Sequence, residues 1–235
     1  MSAPEPSFSE TPAAWHQTVD ADDWDDIYVV GDVHGCFDAL QRLLQRIDPG
    51  EDDLVVFVGD LVRKGPNSRG VVQLVRESPN MLSVRGNNEE KLLRGEKELD
   101  ELSAVDMEYI ASMPVAISFD EALVVHGGID PRKPLADHSV DDVQNMRSLA
   151  PDGSYDRPFW FERHAETPTV FFGHTVLAEP VDREYAIGLD TGCVYGGELT
   201  AYDYWADEYI TVPLDREGKG RKSSKIVTPP EPNTA

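Results

Sequence analysis

Cysteine, long apolar runs and targeting features are scarce in this sequence, and each shortage excludes a class of protein. The 235 residues contain two cysteines, Cys36 and Cys193, neither in a Cys-x-x-Cys pair, which excludes a disulfide framework and favours a reducing compartment. No apolar run approaches the roughly 18 residues that a membrane span requires. The N-terminus lacks the basic and apolar regions of a signal peptide. We therefore expect a cytoplasmic protein with no membrane partner.

Basic residues are the next shortage. Lysine and arginine number 21 against 44 aspartates and glutamates, so the formal net charge is -23. The acidic residues are spread along the chain, which opposes binding to nucleic acid. Hydrophobic residues make up 40% of the chain, which is ample material for a core.

The two ends of the chain differ from its middle in composition. Residues 1–25 are rich in Pro, Ser, Ala and Asp with little periodicity, which predicts a disordered, acidic arm. Residues 216–235 begin with a basic cluster and end in prolines. The cluster could contact an anionic partner, but a solvated, disordered tail is the favoured interpretation. The members of the basic cluster are Arg216, Lys219, Arg221, Lys222 and Lys225. One domain is therefore predicted over residues 26–215.

Between the ends, β-rich runs alternate with helical patterns. Runs at 27–32, 53–60 and 81–87 predict buried strands, and each is followed by a segment with apolar residues at helical spacing. The helical segments are 36–47, 68–77 and 88–104. A hairpin is predicted next, followed by four further β-rich runs up to residue 214. Helix-linked strands followed by hairpins favour a mixed α/β domain with two packed sheets.

Five short motifs each place Asp, His or Asn just past a predicted strand. In chain order they read GDVHG, GDLVRKG, RGNNE, VVHGG and FFGHT. Ligands gather at this edge of open α/β sheets, so the loops should bring six side chains together. The six are Asp32, His34, Asp60, Asn87, His126 and His174. Carboxylate with imidazole suits Mn, Fe or Zn. Each motif alone has an ordinary structural explanation, but all five in this order form a specific pattern.

The order GDxHG, GDLVxxG, GN, HGG, GHT resembles the calcineurin-like metallophosphoesterases. The similar branch is that of the phosphoprotein phosphatases and symmetrical diadenosine tetraphosphatases, and the resemblance covers residues 27–211. It implies a four-layer αββα sandwich of two mixed β-sheets flanked by helices. It also implies a metal-dependent hydrolase of phosphoric esters or anhydrides. The last motif reads GHTV, with Val176 where much of the superfamily has a second histidine, as in the phosphatase branch.

The resemblance implies a role for each of the six residues. Asp32 and His34 would hold a first divalent ion. Asn87, His126 and His174 would hold a second, and Asp60 would bridge both. Mn²⁺ is the favoured ion, with Fe, Zn, Co and Ni as alternatives. Such ions would activate a water for attack on phosphorus, so Asp32 and Asp60 also count as catalytic.

Cations near the same edge should bind the phosphates of the substrate. Lys64 stands where the family's DRG segment has Arg, and Arg147, in NMRSL, matches the family's phosphate-contacting Arg only loosely. A surface charge is the alternative interpretation of Arg147. Lys64 and Arg147 are predicted to be catalytic and substrate-binding, and Arg63 to bind substrate if it faces the site.

The sequence departs from the phosphatase pattern at two positions. Phosphatases of the family place an Asp–His pair beside the metals, and its His protonates the departing oxygen. Here Arg63 and Asn88 stand at those positions, and an amide cannot deliver a proton. A departing serine alkoxide needs that proton, whereas a departing phosphate, with a last pKa of about 6, leaves as an anion. We therefore place Asn88 among the catalytic positions and predict cleavage of phosphoanhydrides, of a dinucleoside polyphosphate or related nucleotide.

Two alternatives stay open. A protein serine/threonine phosphatase or small-molecule phosphomonoesterase would need another proton donor. His138 and His164 are the candidates, although solvated loop positions are the favoured interpretation of both. A weakly catalytic, metal-dependent nucleotide-binding protein would explain Asn88, but not the presence of all six predicted ligands. The sequence leaves the oligomeric state open.

Overall fold

Residues 15–152 and 154–229 are described by the computed structural model, and they contain eleven strands and five α-helices. The strands are β1 (His16–Thr18), β2 (Ile27–Val30), β3 (Leu54–Phe57), β4 (Met81–Ser83), β5 (Ala116–Phe119), β6 (Ala122–Val125), β7 (Thr169–Phe172), β8 (Val181–Arg183), β9 (Ala186–Gly188), β10 (Glu198–Asp203) and β11 (Glu208–Pro213). The helices are α1 (Phe37–Ile47), α2 (Ser68–Glu77), α3 (Asn87–Leu93), α4 (Ala104–Ser112) and α5 (Val140–Asn145).

The strands form two mixed sheets. The five-stranded sheet has the order β11-β10-β2-β3-β4, with β2, β3 and β4 parallel and β10 antiparallel to both β2 and β11. The six-stranded sheet has the order β1-β5-β6-β7-β9-β8. Within it β6, β7 and β9 are parallel, and β5 and β6 form the predicted hairpin. The carboxyl ends of the parallel strands therefore open onto shared edges, where the sequence places its motifs.

Apolar side chains fill three layers around these sheets. Between the sheets, Val29 of β2 packs in one cluster with Ile117 of β5 and Phe171 of β7. The outer face of the five-stranded sheet is covered by α1, α2 and α4. The outer face of the six-stranded sheet is covered by Trp160 and the short helix α5. The predicted αββα sandwich of two mixed sheets is confirmed, and its fourth layer is thin because α5 spans six residues.

One predicted helix is interrupted. The sequence predicts helix over 88–104, but α3 ends at Leu93 and α4 begins after Ser103. Gly95 breaks the first helix with φ 68°, a left-handed conformation that glycine adopts without steric cost. Ser103 starts the second, because its Oγ accepts from the backbone N–H of Asp106 at 3.3 Å. Local capping chemistry therefore overrides the continuous helical pattern.

The described parts of the predicted arm (1–25) and of the predicted tail (216–235) both contact the domain. β1 lies within the predicted arm and pairs in parallel with β5. Near the other end, Val227 is buried, and its N–H donates to the carbonyl of Val176 at 2.8 Å. Residues 1–14 and 230–235, which make up the rest of the predicted arm and tail, lie outside the described residues, and the domain limits stay predictions. Within residues 15–152 and 154–229, no helix is long and apolar enough to cross a membrane.

Candidate active site

The loops that follow five strands bring the predicted residues together at one edge. Asp32 and His34 follow β2, and Asp60 follows β3. Asn87 begins α3, and His126 and His174 follow β6 and β7. Asp32, His34 and Asp60 are buried, and their possible ligand atoms lie within 4.8 Å of one another.

Asp60 lies at the centre of this group. Its Oδ2 is 3.5 Å from Nε2 of His34, and its Oδ1 is 3.4 Å from Nε2 of His126. The two oxygens of one carboxylate therefore face two different imidazoles. This is the geometry expected of a carboxylate that bridges two ions.

The imidazoles of His34 and His126 are oriented as metal ligands usually are. Nδ1 of His34 donates to the carbonyl of Val62 at 3.1 Å, and Nδ1 of His126 donates to the carbonyl of Val58 at 2.8 Å. These bonds fix the orientation of each ring and leave its Nε2 facing Asp60. Nε2 of His126 is buried without a hydrogen-bond partner among the described residues. A buried acceptor of this kind fits a metal ion.

Asn87 and His174 complete the group from the other side. The rings of His126 and His174 have centroids 5.2 Å apart. Nδ1 of His174 is 3.3 Å from Nδ2 of Asn87. The backbone N–H of His174 donates to Oδ1 of Asp32 at 3.2 Å. All six predicted residues are thus linked through short contacts.

The site loops hold unusual backbone conformations. Of the eight described non-glycine residues with positive φ, five lie in these loops: His34, Asp60, Arg63, Lys64 and His174, with φ between 50° and 68°. This left-handed region is unfavourable for most side chains. Such conformations persist where surrounding contacts require them, and they concentrate at functional sites. The backbone therefore marks the same residues as the sequence motifs.

Two glycines allow the loops to approach closely. A Cβ atom on Gly173 would collide with the carboxylate of Asp32, and one on Gly86 would collide with that of Asp60. Any larger residue at either position would push a carboxylate out of the group.

The two buried aspartates have pKa values that shift in opposite directions. Burial raises the pKa of Asp60, but His126 and His34 outweigh it and hold this pKa well below its usual range. Burial, and then the carboxylate of Asp190, raise the pKa of Asp32 well above its usual range. Carboxylates packed this closely are stabilised in their ionised form when a divalent ion binds between them. The donor set therefore fits divalent metal.

Both predicted phosphate-binding cations reach the group. Nζ of Lys64 lies 2.5 Å from Nε2 of His34, and Nη2 of Arg147 lies 2.6 Å from Nε2 of His174. Nε of Arg147 is buried without a hydrogen-bond partner within the part of the chain described. Arg147 is therefore no surface charge, and both cations contact imidazoles of the group.

Arg63 also faces the site, and its partner is Asn88. Its Nη1 donates to Oδ1 of Asn88. Nδ2 of Asn88 in turn donates to Oδ2 of Asp60 and, at 2.9 Å, to Oδ1 of Asn87. Asn88 is only 3% exposed. The two residues that replace the Asp–His pair of the phosphatases thus contact each other, and the amide is held as a hydrogen-bonded link with no proton to transfer.

Two buried carboxylates near the site escaped sequence analysis. Glu89 is fully buried and accepts from the backbone N–H of Asp60 and Gly86, both at 2.9 Å, and of Val62 at 3.1 Å. Burial and the Asp60 charge raise the pKa of Glu89 to about 7. Asp190 is buried as well and accepts from the N–H of Gly192 at 3.1 Å. The sequence around Glu89, NEE, resembles a solvated helix start and gives no sign that Glu89 is buried. Asp190 follows a strand in GLDTG, and this position is the one sequence signal that could have identified it.

Replacing Glu89 with Gln should loosen the site. The amide would turn an NH₂ group towards at least one backbone N–H, so the loop that carries Asp60 would lose a bond to α3. We expect the free energy of unfolding to fall by about 1–3 kcal/mol. We also expect affinity for Mn²⁺ to fall by about tenfold, as is typical when a group that orients ligands is changed. Denaturant titration and isothermal titration calorimetry measure the two effects.

The neighbouring Glu90 provides the matched control. It pairs with Arg85 at 2.9 Å and with Arg94 at 2.8 Å, and neither arginine belongs to the proposed metal site. Glu90→Gln should leave affinity for Mn²⁺ unchanged. Unaltered Mn²⁺ affinity in Glu89→Gln would contradict the positioning role of Glu89.

His138 and His164 do not lie in solvated loops, contrary to the sequence interpretation. Both are buried. Nε2 of His138 accepts from the N–H of Asp130 at 2.7 Å, and Nε2 of His164 donates to the carbonyl of Pro168 at 2.8 Å. Among the described residues, neither ring hydrogen-bonds to a side chain of the site. Both are engaged with backbone and supply no proton donor to it.

Comparison with known proteins gives one family. Residues 26–209 match the sequence model of the calcineurin-like phosphoesterases. A crystal structure of a protein provisionally named as a diadenosine tetraphosphatase superposes with a TM-score of 0.75. Its sequence is 32% identical, and the match covers 84% of this chain and 97% of that one.

Curated relatives carry three different names. The asymmetrical bis(5'-nucleosyl)-tetraphosphatase PrpE of Halalkalibacterium halodurans is 27% identical over 79% of this chain and 92% of its own length. The symmetrical bis(5'-nucleosyl)-tetraphosphatase of Vibrio cholerae is 28% identical over 77% of this chain and 96% of its own. Serine/threonine-protein phosphatase 1 of Salmonella typhimurium is 29% identical over 80% of this chain and 96% of its own. Similarity alone therefore does not choose between anhydride and monoester substrates.

Proposed function

The chain belongs to the calcineurin-like phosphoesterase family and is a metal-dependent phosphohydrolase, and we propose that it cleaves phosphoanhydride bonds, in particular those of dinucleoside polyphosphates. The observation that carries the proposal is the pair of Arg63 and Asn88 beside Asp60. Where a monoesterase of this family has a proton donor, this site has an amide bound to a guanidinium. A nucleotide substrate also agrees with the expected cytoplasmic location.

The leaving group decides how much the rate depends on a proton donor at position 88. A positioned general acid typically contributes 10²–10⁴-fold to the rate. Hydrolysis of phosphoserine expels an alkoxide, which is a poor leaving group without a proton. Hydrolysis of an anhydride expels a phosphate whose last pKa is about 6, so it departs as an anion near neutral pH. The site therefore lacks a group on which the monoester reaction depends more strongly than the anhydride reaction, although the family's diadenosine tetraphosphatases keep this His.

We assign the metal ligands in the same proposal. Asp32 and His34 hold one divalent ion, Asn87, His126 and His174 hold a second, and Asp60 lies between them. Mn²⁺ is the ion proposed, because mixed carboxylate and imidazole donors suit it, and Fe, Zn, Co or Ni could replace it. When bound, such ions supply Lewis acidity and a hydroxide nucleophile at neutral pH.

The chain's own groups then bind and orient the substrate. Lys64 and Arg147 lie against His34 and His174, so they face phosphoryl oxygens held between them. Arg63 places a third positive charge on the side of Asn88, where a leaving phosphate carries negative charge. Asn88 keeps Asp60 oriented through a backbone N–H donor at 2.8 Å and through its side chain.

A parallel assay tests the proposal. The purified protein with Mn²⁺ is given diadenosine tetraphosphate, p-nitrophenyl phosphate and a phosphoserine peptide, and kcat/KM is measured for each. We expect the tetraphosphate to exceed the peptide by at least about 10²-fold, the lower limit of what a general acid contributes. Product chromatography distinguishes release of two ADP from release of ATP and AMP.

Each alternative predicts a different result. Comparable kcat/KM for the tetraphosphate and the two monoesters would contradict the proposal and favour the phosphatase function named for the Salmonella relative. Absence of turnover from protein that has bound Mn²⁺ would favour a nucleotide-binding protein with weak catalysis.

A further inference from the structure

A group of cations and tyrosines borders the active site on the side of the C-terminal segment. We call it the tyrosine patch, and it consists of Tyr155, Tyr195, Arg221 and Lys225. The guanidinium of Arg221 lies over the ring of Tyr195, 4.5 Å from its centroid, and Nη2 donates to the hydroxyl of Tyr155 at 2.9 Å. Lys225 lies over the ring of Tyr155 at 6.0 Å.

The segment that carries Arg221 is attached to the domain on both sides of it. Before it, the N–H of Lys219 donates to the carbonyl of Val194 at 2.8 Å. After it, Val227 pairs with the loop that follows His174, and the N–H of Ala178 donates to the carbonyl of Val227 at 2.9 Å. Arg221 is therefore held at a defined place, contrary to the interpretation of this segment as a solvated tail.

The same two tyrosines also contact the cations of the active site. Nζ of Lys64 lies 5.4 Å from the centroid of Tyr195, and the guanidinium of Arg147 lies 4.4 Å from that of Tyr155. Arg221 contacts the ring of Tyr195 and the hydroxyl of Tyr155. It therefore adds a third positive charge next to Lys64 and Arg147.

None of these three cations forms a close ion pair among the described residues, although the charge of Asp190 acts on each of them over a longer distance. No carboxylate oxygen of residues 15–152 and 154–229 lies within 4 Å of the charged nitrogens of Lys64, Arg147 or Arg221, although acidic residues outnumber basic ones 44 to 21. Unpaired cations held together repel one another, and an anion that spans them removes this repulsion. A chain of linked phosphates carries several negative groups that could contact these cations together.

We propose that Arg221 binds a phosphate of the substrate other than the one attacked, so that the C-terminal segment forms part of a binding site for a phosphoanhydride chain. The inference rests on the proposed function for the identity of the substrate, but the binding chemistry is that of any linear polyphosphate. Guanidinium suits this role because it donates several charge-assisted hydrogen bonds to phosphate oxygens. Tyr155 and Tyr195 act as positioning residues for Arg221.

Arg221→Ala tests the inference when kinetics are compared between a long and a short substrate. With diadenosine tetraphosphate we expect KM to rise about tenfold, the effect of losing one charge-assisted hydrogen bond, with kcat changed less than about twofold. With p-nitrophenyl phosphate, which has one phosphate, neither parameter should change. Tyr155→Phe removes only the hydroxyl that Arg221 contacts and should raise KM for the tetraphosphate by a smaller factor.

Lys222→Ala is the matched control, because it removes a positive charge from an exposed neighbouring position. It should behave as the unsubstituted protein with both substrates. Equal rises in KM for both substrates in Arg221→Ala would overturn the inference, since Arg221 would then act on the whole site. An unchanged KM for the tetraphosphate would also overturn it.

A binding experiment separates this inference from the proposed function. Isothermal titration calorimetry compares inorganic tripolyphosphate with orthophosphate on protein without added metal. Arg221→Ala should weaken tripolyphosphate binding about tenfold and leave orthophosphate binding unchanged, whether or not the tetraphosphate is hydrolysed. If the unsubstituted protein prefers monoesters, the proposed function fails while tripolyphosphate binding still decides the role of Arg221. Equal tripolyphosphate affinity in the two proteins would overturn that role.

Discussion

Asp60→Asn is expected to remove hydrolysis of every substrate, with kcat/KM falling by at least about 10³-fold. Asp60 turns one oxygen towards His34 and the other towards His126, and an Asn side chain offers one oxygen and no charge. Loss of bridging would cost several kcal/mol of transition-state stabilisation, and each 1.36 kcal/mol is a factor of ten in rate. Metal analysis of the dialysed protein should show the loss of bound Mn²⁺ alongside the loss of activity.

Asp106→Asn makes the same chemical change at another buried carboxylate. Asp106 caps α4 by accepting from Ser103 N at 2.9 Å, and it pairs with Arg76, which belongs to no site motif. This variant should lose stability but keep its Mn²⁺ content and its kcat/KM. If Asp60→Asn retained bound Mn²⁺ and activity within tenfold of the original protein, the proposed bridging role would be wrong.

The double substitution Arg63→Asp/Asn88→His is expected to create monoesterase activity. A histidine at 88 could protonate a departing alkoxide. An aspartate at 63 would raise the pKa of this histidine, so that the imidazole carries the proton it must donate. We expect kcat/KM for a phosphoserine peptide to rise about 10²-fold, while that for diadenosine tetraphosphate changes less than tenfold, because phosphate leaves without a proton. Position 63 has φ 68°, a conformation that Asp adopts more readily than Arg.

The single substitutions separate the two parts of this effect. In Asn88→His alone, Arg63 would face the imidazole and lower its pKa, so the gain with the peptide should be much smaller. Arg63→Asp alone should give no gain with the peptide and should raise KM for the tetraphosphate. An equal rise with both substrates in the double variant would show that Asn88 does not select the leaving group.

Much of the metal site could be predicted because it lies at strand ends. Parallel strands with apolar sequences deliver their carboxyl ends to one edge, so a motif that follows each strand is brought to the others by the sheet itself. Asp32, Asp60 and His126 are placed in this way. Whether a side chain then faces inward depends on loop conformation, and the positive φ values of Arg63 and Lys64 are not visible in the sequence pattern.

Other features depended on partners remote in sequence. Glu89 looks like a solvated residue at a helix start, yet it is buried because three backbone N–H groups from two loops face it. β1 is a short run in a segment of disordered composition, and it becomes a strand because the edge of β5 is available to pair with it. Composition describes a segment in isolation and cannot include the partner that orders it.

The sequence by itself determined the two sheets, the edge at which the chemistry lies and the six residues proposed as metal ligands. These follow from local hydrophobic pattern and from motifs attached directly to strands. Only the tertiary structure decided that Arg63 contacts Asn88, that Glu89 is buried and that Arg221 reaches the hydroxyl of Tyr155 and the ring of Tyr195. Each of these contacts joins groups from separate segments. Their formation depends on how the sheets and loops pack, because the free energy of a side-chain contact depends on the surroundings that the whole fold provides.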